Sequence, residues 1–152
     1  MIKYSEKLQK KIDELGLKAE NILYLPIAQR HLARILSGEK VCEFREASDH
    51  YANKFMNFDP KSNEYISDKP LTHILFQGGY TKDSPRVLVE LKGKSPKTSI
   101  FDHQAGKPFQ SEERAKMAAA DGYTVDDDFF AILLGSVVFE ENIIGIFDKK
   151  HK

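Results

Sequence analysis

The chain has 152 residues, of which 41% are hydrophobic and 30% charged, a balance that excludes a disordered protein and predicts one folded domain with its own core. The formal net charge is +0 at pH 7, so no overall field attracts the protein to a polyanion, and any surface for nucleic acid must be local. One cysteine excludes an internal disulfide framework. The single cysteine also fits a reducing compartment, and the sequence shows neither an apolar leader nor a membrane-spanning stretch. We therefore expect a cytoplasmic protein with no membrane partner.

The N-terminal segment has the pattern of an amphipathic helix. Leu8, Ile12 and Leu15 recur at helical spacing between Ser5, a residue type that caps helices, and Gly16, a type that ends them. Lysine and glutamate occupy the other faces, so we expect this helix to lie on the surface of the domain.

A strand, a helix and a second strand are expected next. Residues 21–25 read as a short strand, and Pro26, whose fixed φ suits a first helical turn, is predicted to open the helix. Gly38 is predicted to close it in the left-handed conformation that glycine adopts at little cost. Residues 41–46 follow as a strand.

The middle of the chain combines a long polar segment with a hairpin. Residues 47–70 mix aromatic with polar side chains and are predicted to be a long loop with some local order, which is often functional. The apolar runs at residues 73–77 and 86–91 are joined by turn-forming residues, which predicts a pair of strands. Residues 92–107 read as a lysine-rich connection, and Ser111 is predicted to cap a third helix.

The C-terminal part leaves one choice open. Thr124 and Asp127 have a spacing similar to that of a capping box, which favours a fourth helix over residues 125–134. The apolar run over residues 129–139 is equally typical of a buried strand, and periodicity does not decide between them. Closing strands are expected at residues 136–139 and 143–147.

These elements predict an α+β fold, built as a small, mostly antiparallel β-barrel with flanking helices, because closure hides the edges of a few short strands. Residues 1–20 are predicted to be a helical extension packed on the domain. Residues 21–148 are predicted to form the domain itself, and residues 149–152 a frayed tail.

The most informative stretch runs from Gly38 to Arg45, where charged residues begin a strand that should join a core. Alternation puts Glu43 and Arg45 on one strand face, and Lys40 stands at the preceding corner. Arg45 offers a planar fork suited to phosphate or carboxylate, and Glu43 can orient it. A partly desolvated Lys40 beside them suits a nucleophile or general base. The alternative is an ordinary solvated ion pair beside an exposed lysine, and composition alone favours that alternative.

Read as G-x-K-x-x-E-x-R, this stretch resembles the signature of the ASCH domain family, whose fold is related to the PUA barrel. The preceding residues 34–37 resemble the family's usual lead-in. A later run with Asp121, Gly122 and Tyr123 resembles the acidic-glycine-aromatic turn found in many members. The similarity covers about residues 23–147 and implies a PUA-like barrel.

The resemblance also implies a function. The family is associated with nucleic acid, and one bacterial branch removes the acetyl group from N4-acetylcytidine. The lysine and the acidic residue of that branch correspond to Lys40 and Asp121, and Glu43 stands where the branch has threonine. If the protein is an enzyme, we expect an amidohydrolase or ribonuclease with Lys40, Glu43 and Asp121 as its catalytic residues.

Two further features suit a nucleic-acid ligand. Phe55, Phe58 and Tyr65 can stack on unpaired bases. The lysine-rich connection can contact phosphates through Lys92, Lys94, Lys97 and Lys107. The alternatives are a small loop core for the aromatic rings and a solvated connection for the lysines, and they are the commoner outcome.

We therefore predict a module that binds single-stranded nucleic acid, foremost RNA, or a nucleoside or nucleotide. Its ligand-binding residues would be Lys40, Glu43, Arg45, Phe55, Phe58 and Tyr65. A hydrolase acting on nucleic acid or a modified nucleoside is the first alternative, and a protein-interaction domain with a vestigial cleft is the second. No metal or cofactor is predicted, because the five histidines share no metal-ligand spacing.

Overall fold

A computed structural model of the chain describes residues 3–92, 97–99, 101–102, 107–108, 112–124 and 127–146. The helices are α1 (Glu6–Glu14), α2 (Gln29–Leu36), α3 (Asp49–Phe55) and α4 (Glu112–Ala120), with a turn of 3₁₀ helix at Ala19–Asn21. The strands are β1 (Ile22–Pro26), β2 (Cys42–Glu46), β3 (Met56–Phe58), β4 (Tyr65–Asp68), β5 (His73–Gln77), β6 (Arg86–Leu91), β7 (Lys97–Ser99), β8 (Phe101–Asp102), β9 (Lys107–Pro108) and β10 (Asp128–Glu141).

The architecture is α+β with mostly antiparallel strands, as the sequence predicts. β1 and β5 are parallel, whereas the pairs β5–β6, β2–β10, β7–β10, β3–β4 and β8–β9 are antiparallel. In the described part of the chain, no helix has the length and apolar character needed to cross a membrane.

The chain divides into two compact units, each made of segments that are distant in sequence. The first unit contains Met1–Val41, Pro70–Leu91 and Gly135–Lys152, and the second contains Cys42–Lys69 and Lys92–Leu134. The boundary at Gly135 falls inside β10, so this one strand contributes to both units.

The first unit is built on the pair β5–β6. β1 lies beside β5, and β10 lies beside β6. Helix α1 begins at the Ser5 cap, whose hydroxyl accepts from the Leu8 N–H at 3.1 Å. Its buried side chains, Leu8 and Ile12, pack on Leu75 of β5 and Leu88 of β6. The predicted amphipathic helix and the predicted hairpin are both confirmed.

The second unit is built on the first half of β10. This half pairs with β2 from Phe129 opposite Glu46 to Leu133 opposite Cys42. The register puts Cys42 and Phe44 in a core cluster with Phe129, Ala131 and Ala118, where Ala118 brings in α4. Because side chains alternate along a strand, Glu43 and Arg45 lie on the opposite face of β2.

The prediction that Pro26 opens a helix is wrong. Pro26 ends β1 opposite Gln77, and α2 begins three residues later at Gln29. The next residue, Ile27, donates its N–H to the Gln77 carbonyl at 3.0 Å, so by alternation the nitrogen of Pro26 faces away from β5. Proline is tolerated in a strand at such a position, because no ladder hydrogen bond is lost.

The predicted loop over residues 47–70 contains α3, β3 and β4. Ser48 caps α3 by accepting from the Tyr51 N–H at 3.3 Å. The turn between β3 and β4 is held by Asp59, whose Oδ1 accepts from the Lys61 N–H at 2.8 Å, and by Asn63, which has a φ of 60°. Hydrogen bonds of the helix cap and the turn thus stabilise secondary structure in this segment, although its polar composition is typical of a loop.

The open choice in the C-terminal part is decided in favour of the strand. Asp127 does accept from the Thr124 N–H at 2.7 Å, but β10 follows rather than a helix, because residues 129–132 are buried on both strand faces. The predicted strand at 143–147 is wrong over its described residues, 143–146, which form a turn. The predicted tail, the Ser111 cap and most of the lysine-rich connection lie outside the described residues.

We predict that Leu8→Ala lowers the free energy of unfolding by about 2–5 kcal/mol, because it removes a fully buried side chain and leaves a cavity against β5 and β6. Leu15→Ala, at the exposed end of the same helix, is the matched control and should cost less than about 1 kcal/mol. Chemical denaturation followed by circular dichroism measures both. Equal losses would contradict the packing described for α1.

Candidate functional site

Lys40 follows the turn that ends α2. Gly38 has a φ of +83°, as predicted for a helix-closing glycine, and the Lys40 N–H donates to the Arg34 carbonyl at 3.0 Å. The Lys40 residue is only 5% exposed, so the alternative of a solvated lysine is wrong. Lys40 belongs to the first unit, and its joint role with Glu43 and Asp121 stays a prediction.

Glu43 and Arg45 form an ion pair on one face of β2, in which Glu43 is buried and Arg45 is partly buried. Arg45 Nη2 donates to Glu43 Oε2 at 2.9 Å, and Glu43 is 6% exposed. The second carboxylate oxygen, Oε1, accepts from the Phe44 N–H at 3.1 Å. The pair is therefore not the solvated surface pair that composition alone favours.

Helix α3 supplies a second partner for the guanidinium. Arg45 Nη1 donates to the Tyr51 hydroxyl oxygen at 3.1 Å, and the guanidinium carbon lies 5.6 Å from the centre of the Tyr51 ring. Burial disfavours the charge of Arg45, but the Glu43 carboxylate and the Tyr51 hydroxyl more than offset it, so the pKa of Arg45 is raised. Arg45 is fixed on two sides.

The turn after α4 contributes Tyr123. Gly122 has a φ of +97°, and the Tyr123 N–H donates back to the Ala118 carbonyl at 3.1 Å. The Tyr123 ring lies 5.0 Å from that of Phe129 and 6.0 Å from that of Phe44, between ring centres. Burial, followed by the negative charge of Glu43, raises the pKa of Tyr123 to about 12. Its hydroxyl is therefore protonated at physiological pH and can donate.

Glu43, Arg45, Tyr51 and Tyr123 are called the Arg45 cluster below. The Tyr123 ring packs on the Phe44 face of β2, opposite to the face of Glu43 and Arg45, and its phenol lies within the electrostatic influence of Glu43, Arg45 and Tyr51. Of the predicted site residues, the structure brings Glu43 and Arg45 together here. Asp121 lies in the same turn as Tyr123 and is partly buried, and its N–H bonds to the carbonyls of α4.

The three predicted stacking residues have different environments. Phe55 is fully buried and packs on Phe130 at 5.1 Å between ring centres. Its ring therefore has no face open to a base, and we no longer count Phe55 among the residues expected to stack on one. Phe58 is partly buried, and Tyr65 is 56% exposed on the hairpin β3–β4. Their rings meet edge to face at 6.4 Å.

The predicted lysine run is only partly visible. Lys92 is exposed, whereas the side chains of Lys94, Lys97 and Lys107 lie outside the described part of the chain. In that part, no group of three His, Cys, Asp or Glu side chains is arranged to hold a metal ion.

Tyr51 and Tyr123 are site residues that the sequence analysis does not select. Ser48 followed by Asp49 is a helix-start signal that would have placed Tyr51 one turn inside a helix, next to the strand carrying Arg45. Tyr123 is part of the acidic-glycine-aromatic turn, but nothing in the sequence indicates that its ring reaches Phe44.

No family model, no curated protein and no solved structure matches the chain.

We predict that Glu43→Gln lowers the free energy of unfolding by about 3–5 kcal/mol, because it removes the buried carboxylate charge that pairs with Arg45. The matched control is Glu39→Gln, which breaks the exposed Arg34–Glu39 pair at 3.3 Å and should cost less than about 1 kcal/mol. Denaturant titration measures both variants. A loss for Glu43→Gln no larger than for Glu39→Gln would show that the cluster is solvated.

We predict that part of the stability lost at alkaline pH belongs to Tyr123. Its folded-state pKa, about 12, lies above the ordinary value of 10.0, so its contribution is complete below about pH 10 and falls as pH rises from there to about pH 12. Burial also raises the pKa of Tyr24, and the bond to Asp68 raises that of Tyr65. The difference between wild type and Tyr123→Phe therefore isolates one phenol. Denaturant unfolding curves recorded at a series of pH values give the free energy of unfolding at each pH. Between about pH 10 and pH 12 this free energy should fall less steeply for Tyr123→Phe than for the wild type. Equal falls in the two proteins would contradict the assignment.

Proposed function

We propose that the protein binds single-stranded nucleic acid, foremost RNA, or a nucleotide through a site that contains the Arg45 cluster. The observation that carries the proposal is the Glu43–Arg45 pair, held at 2.9 Å and joined by the Tyr51 hydroxyl at 3.1 Å. The resemblance of the Gly38–Arg45 stretch to the ASCH signature supports the same function.

A buried ion pair contributes little to folding, because removing two charges from water costs about as much as their attraction returns. An arginine that is already oriented, however, loses little conformational freedom when a ligand arrives. Glu43 and Tyr51 hold the guanidinium of Arg45 in this way. The cluster is thus better suited to recognition than to stabilising the fold.

The hydrogen-bonding character of the cluster indicates what the ligand presents. The Tyr51 hydroxyl accepts from Arg45, and a hydroxyl that accepts one hydrogen bond can also donate one. The Tyr123 hydroxyl remains protonated up to about pH 12. Glu43, in contrast, already accepts from Phe44 and Arg45. The tyrosines and Arg45 therefore favour a ligand rich in acceptors, such as phosphate oxygens and base carbonyls.

Two finer proposals accompany this function. We propose that the mostly antiparallel strands form the PUA-like barrel implied by the ASCH resemblance. We also propose that the exposed Tyr65, supported by Phe58 on the same hairpin, offers a stacking surface to an unpaired base.

We predict that Tyr51→Phe weakens the binding of a short single-stranded RNA by about 3- to 10-fold, because it removes one hydroxyl and keeps the ring. Arg45→Ala should weaken it at least about 10-fold, as expected for a charged hydrogen-bonding group. Fluorescence anisotropy with labelled oligonucleotides at low salt measures both, after circular dichroism has shown that each variant is folded. Arg30→Ala removes an exposed arginine from the first unit and is the matched control for Arg45→Ala.

Failure of the wild-type protein to bind RNA, DNA and nucleotides at low salt would refute the proposal. Unchanged binding by both Tyr51→Phe and Arg45→Ala would remove the cluster from the site. Incubation with N4-acetylcytidine and with labelled RNA separates binding from hydrolysis, and turnover of either substrate would replace a binding function by the predicted hydrolase.

A further inference from the structure

A buried arginine, Arg86, lies at the start of β6 in the first unit. It is 6% exposed, and its described hydrogen-bond acceptors are neutral. Nε donates to Gln77 Oε1 at 2.8 Å, and Nη1 donates to the Lys3 carbonyl at 3.0 Å. Gln77 is itself oriented, because its Nε2 donates to the Gly79 carbonyl at 2.7 Å, which turns its oxygen toward Arg86.

The charge of Arg86 has no acidic counterpart in the described part of the chain. None of the carboxylates described there lies within 4.0 Å of its guanidinium, and none of the residues described there accepts from Nη2. Buried charges are normally paired, because an uncompensated ion in the interior is costly. Arg45, whose side chain is more exposed at 14%, has Glu43 for this purpose.

Tyr24 shares the environment of Arg86, and Tyr80 lies near Tyr24. Tyr24 pairs with Leu75 in the register of β1 and β5, and Gln77 pairs with Arg86 in that of β5 and β6, so alternation puts Tyr24, Gln77 and Arg86 on one sheet face. Burial and the neighbouring Tyr80 raise the pKa of Tyr24, and the positive charge of Arg86 opposes this shift. Tyr80 is 86% exposed, so one of the two hydroxyls is open to solvent.

We propose that Arg86, together with the Tyr24 and Tyr80 hydroxyls, binds an oxyanion, namely the phosphate or carboxylate group of a small ligand. A guanidinium presents paired N–H donors that match both groups, and the tyrosine O–H groups add further donors. The anion supplies the negative charge that Arg86 lacks among the neighbours that the structure describes. This site lies in the first unit and is independent of the Arg45 cluster in the second.

The test measures anion binding by the full chain at constant ionic strength, with potassium chloride replaced stepwise by potassium phosphate or by potassium acetate at low millimolar concentration. We expect the melting temperature of the wild type to rise with the logarithm of the concentration of the bound anion. Arg86→Gln should weaken binding at least about 10-fold, and Tyr24→Phe about 3- to 10-fold, because each removes donors to the anion. Arg30→Gln, which removes an exposed arginine of the same unit, is the matched control and should respond like the wild type.

A second readout covers the case in which Arg86→Gln does not fold. In nuclear magnetic resonance spectra of the wild type, the Nε–H signal of Arg86, identified by its absence from Arg86→Lys, should shift in a saturable way with one anion and not with chloride. A response to phosphate alone identifies a phosphate ligand, and a response to acetate alone a carboxylate ligand. No saturable response to either anion, or an unchanged response in Arg86→Gln, would overturn the proposal and leave Arg86 as a clamp on the Lys3 carbonyl.

Discussion

The antiparallel register between β2 and the first half of β10 is the constraint on which the second unit depends. Because side chains alternate along a strand, a slip of one residue would turn Cys42 and Phe44 away from their core and put Glu43 and Arg45 into it. Phe129, opposite Glu46 in this register, packs edge to face on Phe44 at 5.4 Å and so opposes such a slip. The hydrophobic contacts on one face thus determine the position of the charges on the other.

Arg45 and Arg86 show how differently a protein can accommodate the same side chain. Arg45 is neutralised by Glu43 and oriented by Tyr51, so its position is fixed by charge as well as by geometry. Arg86 is oriented by the amide oxygen of Gln77 and by a backbone carbonyl, which fix its direction without compensating its charge. A charge that is oriented but not compensated, like that of Arg86, attracts a ligand of opposite charge. A charge that is already paired, like that of Arg45, contributes to ligand recognition mainly through the direction of its hydrogen-bond donors.

Sequence reasoning succeeds here where structure is decided locally and fails where it is decided by contacts. The Ser5 cap with its helical periodicity, the left-handed Gly38 and the alternation that pairs Glu43 with Arg45 are all properties of short segments. Helix α3 has only seven residues, too few for a periodic signal, and the apolar run of β10 fits a helix or a strand until its partners are known. Tyr123 is distant from Arg45 in sequence, so no local pattern relates them. The buried state of Phe55 likewise depends on α3 and on Phe130.

The division of β10 between the two units has a consequence for how the chain folds. Neither unit corresponds to a continuous stretch of sequence. The first combines Met1–Val41 with Gly135–Lys152, and the second combines Cys42–Lys69 with Lys92–Leu134. Contacts between such distant segments require large loops to close, and chains dominated by them fold slowly. The fourteen residues of β10 are divided between the two units at Gly135. A substitution near Gly135 would therefore be felt in the folding of the whole chain rather than in one part of it.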